Sequence, residues 1–198
     1  MKRLLPLLAF SLALVACTDT TGISESLKRT AHPATDPNAT VHVAEFADLQ
    51  CPACRGAHET IVKPLIAKYG KKIRYDFMHF PLQTLHRYAL EAAQASECAA
   101  DQGKFWEFVD IDYTNQDELN SETLKRWAKD LGLATDLFDR CLDSGIKRKA
   151  ILDEYNKGKD AGVNGTPTFF VNGQRVESGL TELSTAIDAA LKAPGQKL

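Results

Sequence analysis

Two cysteines with two residues between them form the sequence Cys51-Pro52-Ala53-Cys54. They follow a short apolar run, Val41 to Leu49, and they precede apolar residues at helical spacing. A thiolate at the first residue of a helix is stabilised by free backbone N–H groups and by the positive end of the helix dipole. Proline suits the first helical turn, where its missing N–H costs no hydrogen bond. The sequence therefore predicts a redox-active pair where a strand gives way to a helix.

The segments on either side of the pair have the patterns of alternating strands and helices. Val41 to Ala47 is predicted to be a central strand, because both of its faces are largely apolar. The following helix carries apolar residues every four positions; Pro64 is predicted to kink it and Gly70 to end it. A second strand is predicted from Lys72 to Phe80.

The middle of the chain differs from its ends in composition. Between residues 84 and 159 β-branched aliphatic residues become scarce and alanine becomes common, which predicts a series of helices, one of them capped by Ser121. Asn172-Gly173 then predicts the turn of a strand hairpin, followed by a last helix. The predicted fold class is α/β: a central mixed sheet flanked by helices, built from residues 40–83 and 160–193, with an all-helical subdomain inserted at 84–159.

The first residues have the pattern of an export signal. Lys2 and Arg3 form a basic start, Leu4 to Ala16 forms an apolar run too short to span a bilayer, and Cys17 follows. This arrangement resembles a bacterial lipoprotein cleavage site. Cleavage would remove residues 1–16 and leave Cys17 as the lipidated first residue of a flexible tether, residues 17–39. The alternative is an ordinary signal peptide followed by a chance cysteine.

Charge and cysteine content narrow the function classes. The chain has 24 basic and 26 acidic residues, and no basic stripe indicates nucleic-acid binding. No apolar run after the signal is long enough to predict a membrane-spanning helix. Five cysteines, four of them after Cys17, fit an oxidising compartment, so we expect the protein to be periplasmic or otherwise extracytoplasmic.

Two segments, the first of which contains the cysteine pair, carry a resemblance to a known family. These are Glu45 to Cys54 and Gly162-Val163-Asn164-Gly165-Thr166-Pro167-Thr168-Phe169-Phe170, with weaker matches at Phe80-Pro81-Leu82 and Gln102 to Glu107. From about Val41 to Leu191 the chain resembles the DsbA-like disulfide oxidoreductases of the thioredoxin superfamily, which have an inserted helical domain. The resemblance implies disulfide exchange with substrate proteins, without a metal or organic cofactor. It also implies a membrane redox partner, either a quinone-linked oxidase or a thiol reductase.

The resemblance assigns roles around the disulfide. It implies that Cys51 is the exposed nucleophile and Cys54 the more buried resolving thiol. Thr166-Pro167 matches the family's cis-proline loop, so Thr166, Pro167 and Pro52 are expected to contact the substrate chain. The alternatives are a static disulfide at the cysteine pair and a proline that merely opens a strand.

Glu45 lies six residues before Cys51 and matches the superfamily's buried acid. A carboxyl group in a covered strand should have a raised pKa, because burial disfavours its charged form. We expect Glu45 to exchange a proton with Cys54 as the disulfide opens. The alternative is a solvated glutamate at a strand edge.

One position departs from the pattern of the strongly oxidising relatives, many of which carry histidine where this chain has Ala53. Without a positive neighbour the Cys51 thiolate loses one source of stabilisation. The departure predicts a weaker oxidant.

The remaining cysteines, Cys98 and Cys141, are expected to pair and to pin the insertion, the alternative being two buried free thiols. His58 lies four residues after Cys54 and with both active cysteines forms a conceivable metal site, so a metal-delivery protein is the rival function. We expect His58 to be a solvated helix residue instead, and we expect the same of the basic run from Lys147 to Lys149. A non-catalytic chaperone that uses the helical insertion is the third alternative.

Overall fold

The computed structural model describes residues 32–193. The predicted signal, Cys17 and the first part of the predicted tether therefore lie outside the described residues. The strands are β1 (His32–Pro33), β2 (Val41–Ala47), β3 (Ile73–His79), β4 (Thr168–Val171) and β5 (Gln174–Val176). The helices are α1 (Pro52–Ala57), α2 (Lys63–Tyr69), α3 (Ala89–Ala100), α4 (Phe105–Thr114), α5 (Ser121–Asp130), α6 (Thr135–Ser144), α7 (Arg148–Asp160) and α8 (Leu180–Lys192).

The five strands form one mixed sheet in the order β1-β3-β2-β4-β5. Strand β2 pairs in parallel with β3 and antiparallel with β4, so that Glu45 lies opposite Phe77 on one side and Phe169 on the other. The parallel pair requires a crossover, which α1 and α2 supply. The predicted fold class, a central mixed sheet flanked by helices, is confirmed.

Both faces of the sheet are covered, as the apolar pattern of β2 predicts. On one face Val43, Tyr75 and Phe169 pack with residues of α2 and α8. On the other face Phe46 joins a second apolar cluster, against which Tyr155 of α7 packs. Helix α7 comes close to this face at a glycine, since a Cβ at Gly158 would lie 2.7 Å from the ring of Phe80.

Helices α3 to α7 lie between β3 and β4 in the chain and form the helical insertion. Its core is built around fully buried Phe108, Trp127 and Phe138. A disulfide joins Cys98 of α3 to Cys141 of α6, the pairing expected from the sequence. No helix within residues 32–193 is long and apolar enough to cross a bilayer.

The predicted tether is wrong for its described part. Strand β1 pairs antiparallel with β3, and the Ala34 N–H donates to the Tyr75 carbonyl at 2.9 Å. The Thr35 hydroxyl continues this edge, accepting from the Tyr75 N–H at 2.8 Å and donating to the Ile73 carbonyl. An edge strand can contain proline, and its backbone pairing requires no apolar pattern. The polar, proline-containing composition of this segment therefore predicted a tether and gave no sign of the strand.

Two local predictions also differ from the structure. Helix α5 is capped by Asn120, whose Oδ1 accepts from the N–H groups of Glu122 and Thr123, so the cap lies one residue before the expected Ser121. The predicted kink takes the form of a π-helical turn, His58–Val62, that joins α1 to α2. This wider turn comes directly before the helical turn that holds Pro64, which has no N–H to donate.

Candidate active site

The cysteine pair lies at the point where β2 ends and α1 begins. Cys51 is the N-cap residue of α1, with an extended backbone, and Pro52 occupies the first helical position. The turn before it is closed by the Cys51 N–H, which donates to the Asp48 carbonyl at 3.0 Å. The Asp48 side chain tightens the same turn by accepting from the Gln50 N–H at 2.7 Å. This geometry places Cys51 beside the free N–H groups of the first helical turn, and both active-site cysteines are free thiols.

Cys51 is less accessible than the family resemblance implies. It is only 7% exposed, whereas its neighbours Pro52 and Ala53 are exposed. The covering group is the loop before β4, where the Thr166 carbonyl oxygen lies 3.6 Å from the Cys51 sulfur. The expectation of an exposed nucleophile is therefore wrong for the residue as a whole, whereas Cys54 is the more buried of the two cysteines, as expected, at 0% exposure.

The two thiols differ sharply in acidity. A hydrogen bond from the Cys54 thiol lowers the pKa of Cys51 to about 5 against the opposing effect of burial. The Thr166 side chain and then the backbone N–H groups of Cys54 and Ala53 also lower it. Burial raises the pKa of Cys54 well above its ordinary value, and the hydrogen bond to Cys51 and the charge of Glu45 raise it further. Only Cys51 is therefore ionised near neutral pH.

Glu45 lies under the pair, on the central strand. It is 1% exposed, and the Tyr75 hydroxyl donates to its Oε2 at 2.6 Å. Burial raises the pKa of Glu45 to about 7, and the hydrogen bond from Tyr75 opposes this shift. A solvated glutamate at a strand edge is excluded, and Glu45 titrates in the range in which it can both take up and release a proton.

The second loop predicted from the sequence also faces the cysteines. The Thr166–Pro167 peptide bond is cis, and Pro167 directly precedes β4. The Thr166 hydroxyl is buried beside Cys51 and is one of the groups that lower the pKa of its thiol. The structure thus brings Cys51, Cys54, Glu45 and Thr166 together.

His58 is not the solvated residue that we expected. It is 4% exposed, and its Nε2 lies 2.7 Å from Asp110 Oδ1. The ring also packs against Tyr113, with 5.0 Å between the ring centroids. Helix α4 covers this side of α1, a contact that the spacing of Cys54 and His58 does not reveal. Within residues 32–193 no group of three or more His, Cys, Asp or Glu side chains is arranged to hold a metal ion.

Two polar residues at the site were missed from the sequence. The buried Asp48 carboxylate accepts from the Leu82 N–H and lies within hydrogen-bond distance of His86 Nδ1, both at 2.8 Å. Gln116, from the helical insertion, donates to carbonyl groups of the active-site turn. Asp48 lies three residues before the N-cap residue Cys51. An aspartate just before a helix is a signal for a turn closed by its side chain, so this signal was available in the sequence. Gln116 has no such signal.

Comparison with known proteins places this arrangement in a family. A family model described as thioredoxin matches residues 29–189. The Na(+)/H(+) antiporter NhaA 3 of Salinispora tropica is 40% identical over 154 residues, which are 77% of this chain and 23% of that protein. The Na(+)/H(+) antiporter NhaA 1 of Salinispora arenicola is 38% identical over the same length. The chain thus spans about a quarter of the length of these curated relatives.

Solved structures agree with the family model. A thioredoxin-like oxidoreductase from Silicibacter pomeroyi is 27% identical with a TM-score of 0.72, over 85% of this chain and 98% of that one. BdbD from Bacillus subtilis shares the fold at 20% identity and a TM-score of 0.75, over 86% and 96% of the two chains. Wolbachia pipientis alpha-DsbA1 does so at 24% identity and a TM-score of 0.70, over 82% and 91%. The chain belongs to the thioredoxin family and has the fold of the DsbA-like thiol-disulfide oxidoreductases, with a helical subdomain inserted in the thioredoxin domain.

Proposed function

We propose that this protein is an exported thiol-disulfide oxidoreductase in which Cys51 is the nucleophile and Cys54 the resolving thiol. The observation that carries the proposal is the difference between the two thiols, one with a pKa of about 5 and the other with a pKa well above the ordinary value. Only a thiolate attacks a disulfide, so this difference selects which sulfur reacts first. A static disulfide needs no such difference.

In the reducing direction the Cys51 thiolate attacks one sulfur of a substrate disulfide. A bond forms between Cys51 and that sulfur, and the other substrate sulfur leaves as a thiolate. Glu45 then accepts the proton of Cys54, directly or through water, and the Cys54 thiolate attacks the Cys51 sulfur. The products are a Cys51–Cys54 disulfide and a substrate with two reduced cysteines.

The oxidising direction is the reverse of this sequence. A substrate thiolate attacks Cys51, the Cys51–Cys54 bond breaks, and Cys54 leaves and takes a proton from Glu45. A second substrate thiolate then attacks the substrate sulfur of the mixed disulfide, which forms the product disulfide and releases Cys51 as a thiolate. The membrane redox partner then restores the Cys51–Cys54 disulfide, or reduces it when the protein works as a reductase. Each step exchanges sulfur bonds and protons, so the chemistry requires no metal or organic cofactor.

The substrate is a protein segment in extended conformation. It lies against Thr166 and Pro167, whose loop covers Cys51, and it passes over exposed Pro52. The backbone beside the cis bond offers it hydrogen-bonding groups, as an edge strand does. The antiporter activity named for the curated relatives is not part of the proposal, because this chain covers only 23% of their length.

Lipid anchoring through Cys17 completes the proposal, on the basis of the basic start, the apolar run and the cysteine that follows. In a bacterial host the full-length protein should fractionate with membranes and a Cys17→Ala variant should be released into the periplasm or the medium. A variant that stays in the membrane fraction would contradict the anchor but not the redox chemistry.

Trapping tests the redox chemistry directly. A Cys54→Ala variant keeps the attacking thiol without the resolving one, so we expect mixed disulfides between Cys51 and substrate proteins on a non-reducing gel. A Cys51→Ala variant is the matched control and should trap none. The wild type should also catalyse insulin reduction by dithiothreitol in the presence of a metal chelator. If Cys54→Ala and Cys51→Ala trap alike, the assigned roles are wrong.

A further inference from the structure

The carbonyl groups of the active-site turn are held by a side chain from the helical insertion. Gln116 is 6% exposed, and its Nε2 donates to the Leu49 carbonyl at 2.7 Å and to the Cys51 carbonyl at 3.1 Å. A side-chain amide nitrogen carries two hydrogens, so both donors of Gln116 are used here. Because Leu49 and Cys51 are themselves buried, their carbonyls depend on a protein partner in place of bulk water.

The backbone around Gln116 is fixed on both sides. Asn115 ends α4, donating to the Ile111 carbonyl from its N–H at 3.0 Å and from its side chain at 2.8 Å. Gln116 follows at once and begins a short 3-10 turn. The next residue, Asp117, pairs with Arg55 of α1 at 3.2 Å. This turn therefore lies along the first turn of α1 and contacts it at two successive residues.

The Cys51 carbonyl has two lone pairs, and both have donors. One accepts from the Arg55 N–H at 3.1 Å, which is the first hydrogen bond of α1, and the other accepts from Gln116. Two donors from different elements fix the orientation of the Cys51 peptide group. That orientation sets the direction of the thiol, which receives hydrogen bonds from the Cys54 thiol and from the Ala53 N–H. Hydrogen bonds weaken steeply when the donor is misaligned, so a rotated peptide group would lose them.

We propose that Gln116 is a positioning residue, which holds Cys51 in the orientation in which its thiolate receives these hydrogen bonds. Gln116 binds the backbone carbonyl of Cys51 and acts on the sulfur through that backbone. The helical insertion thereby contributes to the reactivity of a cysteine 65 residues earlier in the chain. The effect of Gln116 on disulfide exchange rests on the proposed function, whereas its effect on the Cys51 thiol does not.

The substitution Gln116→Met removes both donors at nearly constant volume. We expect the pKa of Cys51 to rise by about one unit, the shift that corresponds to one lost hydrogen bond. The measurement is the pH dependence of alkylation of the Cys51 peptide by iodoacetamide in the reduced, full-length protein. The reduction potential against glutathione should become more negative, because the reduced form loses part of its thiolate stabilisation.

The matched control is Gln102→Met. The Gln102 side-chain amide also makes two hydrogen bonds to backbone groups: it accepts from the Ala134 N–H at 2.8 Å and donates to the Ala134 carbonyl at 3.4 Å. These groups lie at the start of α6 and not in the active-site turn. Its loss should lower the thermal stability and leave the pKa of Cys51 unchanged. An unchanged pKa of Cys51 in Gln116→Met overturns the inference and leaves Gln116 a structural residue.

A second variant covers the case in which Gln116→Met does not fold. Gln116→Asn keeps a polar amide on a side chain that is shorter by one methylene group, so the amide no longer reaches the Leu49 and Cys51 carbonyls. The same rise in the pKa of Cys51 is expected. An unchanged pKa in this variant would also overturn the inference. Failure of the proposed function is distinguishable, because a wild-type protein without mixed disulfides would still yield a measurable pKa of Cys51.

Discussion

The two cysteine pairs of this protein lie in different surroundings and have different states. Cys51 and Cys54 occupy one turn of one helix and are free thiols. Cys98 and Cys141 are 43 residues apart, on two helices of the insertion, and are bonded. A bond between distant residues removes much conformational freedom from the unfolded chain, whereas a bond across a four-residue ring removes little. The distant pair is therefore suited to stability, and the near pair is free to open and close.

The neighbours of each pair agree with this division. Glu45 lies close enough to Cys54 for its charge to raise the pKa of that thiol, and the Tyr75 hydroxyl donates a hydrogen bond to Glu45. The carboxyl group of Glu45 thus gives the near pair a proton acceptor. Cys98 is packed among small and apolar residues of the insertion core, such as Ala95 and Phe138. A sulfur that must ionise needs polar groups nearby, and a sulfur that stays bonded does not.

Removal of the distant pair should have the largest effect on stability. We expect Cys98→Ala/Cys141→Ala to lower the free energy of unfolding by about 4 kcal/mol, from the entropy of a loop of this length. Insulin reduction should be retained at a temperature where the variant is folded. The measurement is urea unfolding of both variants under oxidising conditions, with Cys51→Ala/Cys54→Ala as the control. The comparison fails if the control loses as much stability as the Cys98 and Cys141 variant.

The buried acid at the near pair should make stability depend on pH. Folded Glu45 keeps its proton up to a pH of about 7, whereas the unfolded chain loses it from 4.5 upward. The unfolded state then binds fewer protons, so stability falls as the pH rises through this window, by on the order of 3 kcal/mol. Glu45→Gln should remove this fall, which urea unfolding of the reduced proteins between pH 4 and pH 8 would measure.

The same variant separates the roles of Glu45 in stability and in catalysis. Glu45→Gln cannot accept the Cys54 proton, so release of the mixed disulfide should slow by about tenfold or more. Tyr75→Phe serves as the control, since it keeps the carboxyl group and removes the hydrogen bond that lowers its pKa. In Tyr75→Phe the pKa of Glu45 should rise, so the fall in stability should continue to a higher pH than in the wild type. Unchanged release of the mixed disulfide in Glu45→Gln would refute its catalytic role.

Most of the secondary structure around Cys51 and Cys54 could be predicted from the sequence pattern. Alternation in β2, helical spacing after Cys54 and the proline at the first helical position are local signals, and the structure has the predicted elements. The raised pKa of Glu45 follows from the same reasoning, because a central strand buries whatever it carries. Local periodicity therefore placed the cysteine pair between a strand and a helix, and the family resemblance assigned the roles of the site residues.

Contacts between distant segments were beyond that reasoning. His58 is buried because Asp110 of α4 reaches it, and Lys147, expected in solvent, is 3% exposed because it pairs with Asp101 at 2.6 Å. Neither contact has a spacing that marks it in the sequence. The strand pairing of residues 32–33 likewise uses backbone groups, which every residue type but proline offers in full.

The smallest change in stability is expected at Asp112, a buried carboxyl group of α4. It is fully buried, and neither of its oxygens has a hydrogen-bond partner among residues 32–193. Burial, reinforced by the charge of Asp48, raises its pKa well above the ordinary value, so Asp112 stays protonated. Replacing an unsatisfied polar group with an apolar one of similar shape is favourable, so Asp112→Leu should raise the free energy of unfolding at pH 7 by about 2 kcal/mol.

A matched control lies two residues earlier on the same helix. Asp110 is half-exposed and bonded to His58, so Asp110→Leu should lower the stability where Asp112→Leu raises it. The gain at Asp112 should also shrink as the pH falls toward 3.8, because the folded protein keeps the Asp112 proton and the unfolded chain loses it only above that pH. A loss of stability in Asp112→Leu at pH 7 would mean that Asp112 has a favourable partner.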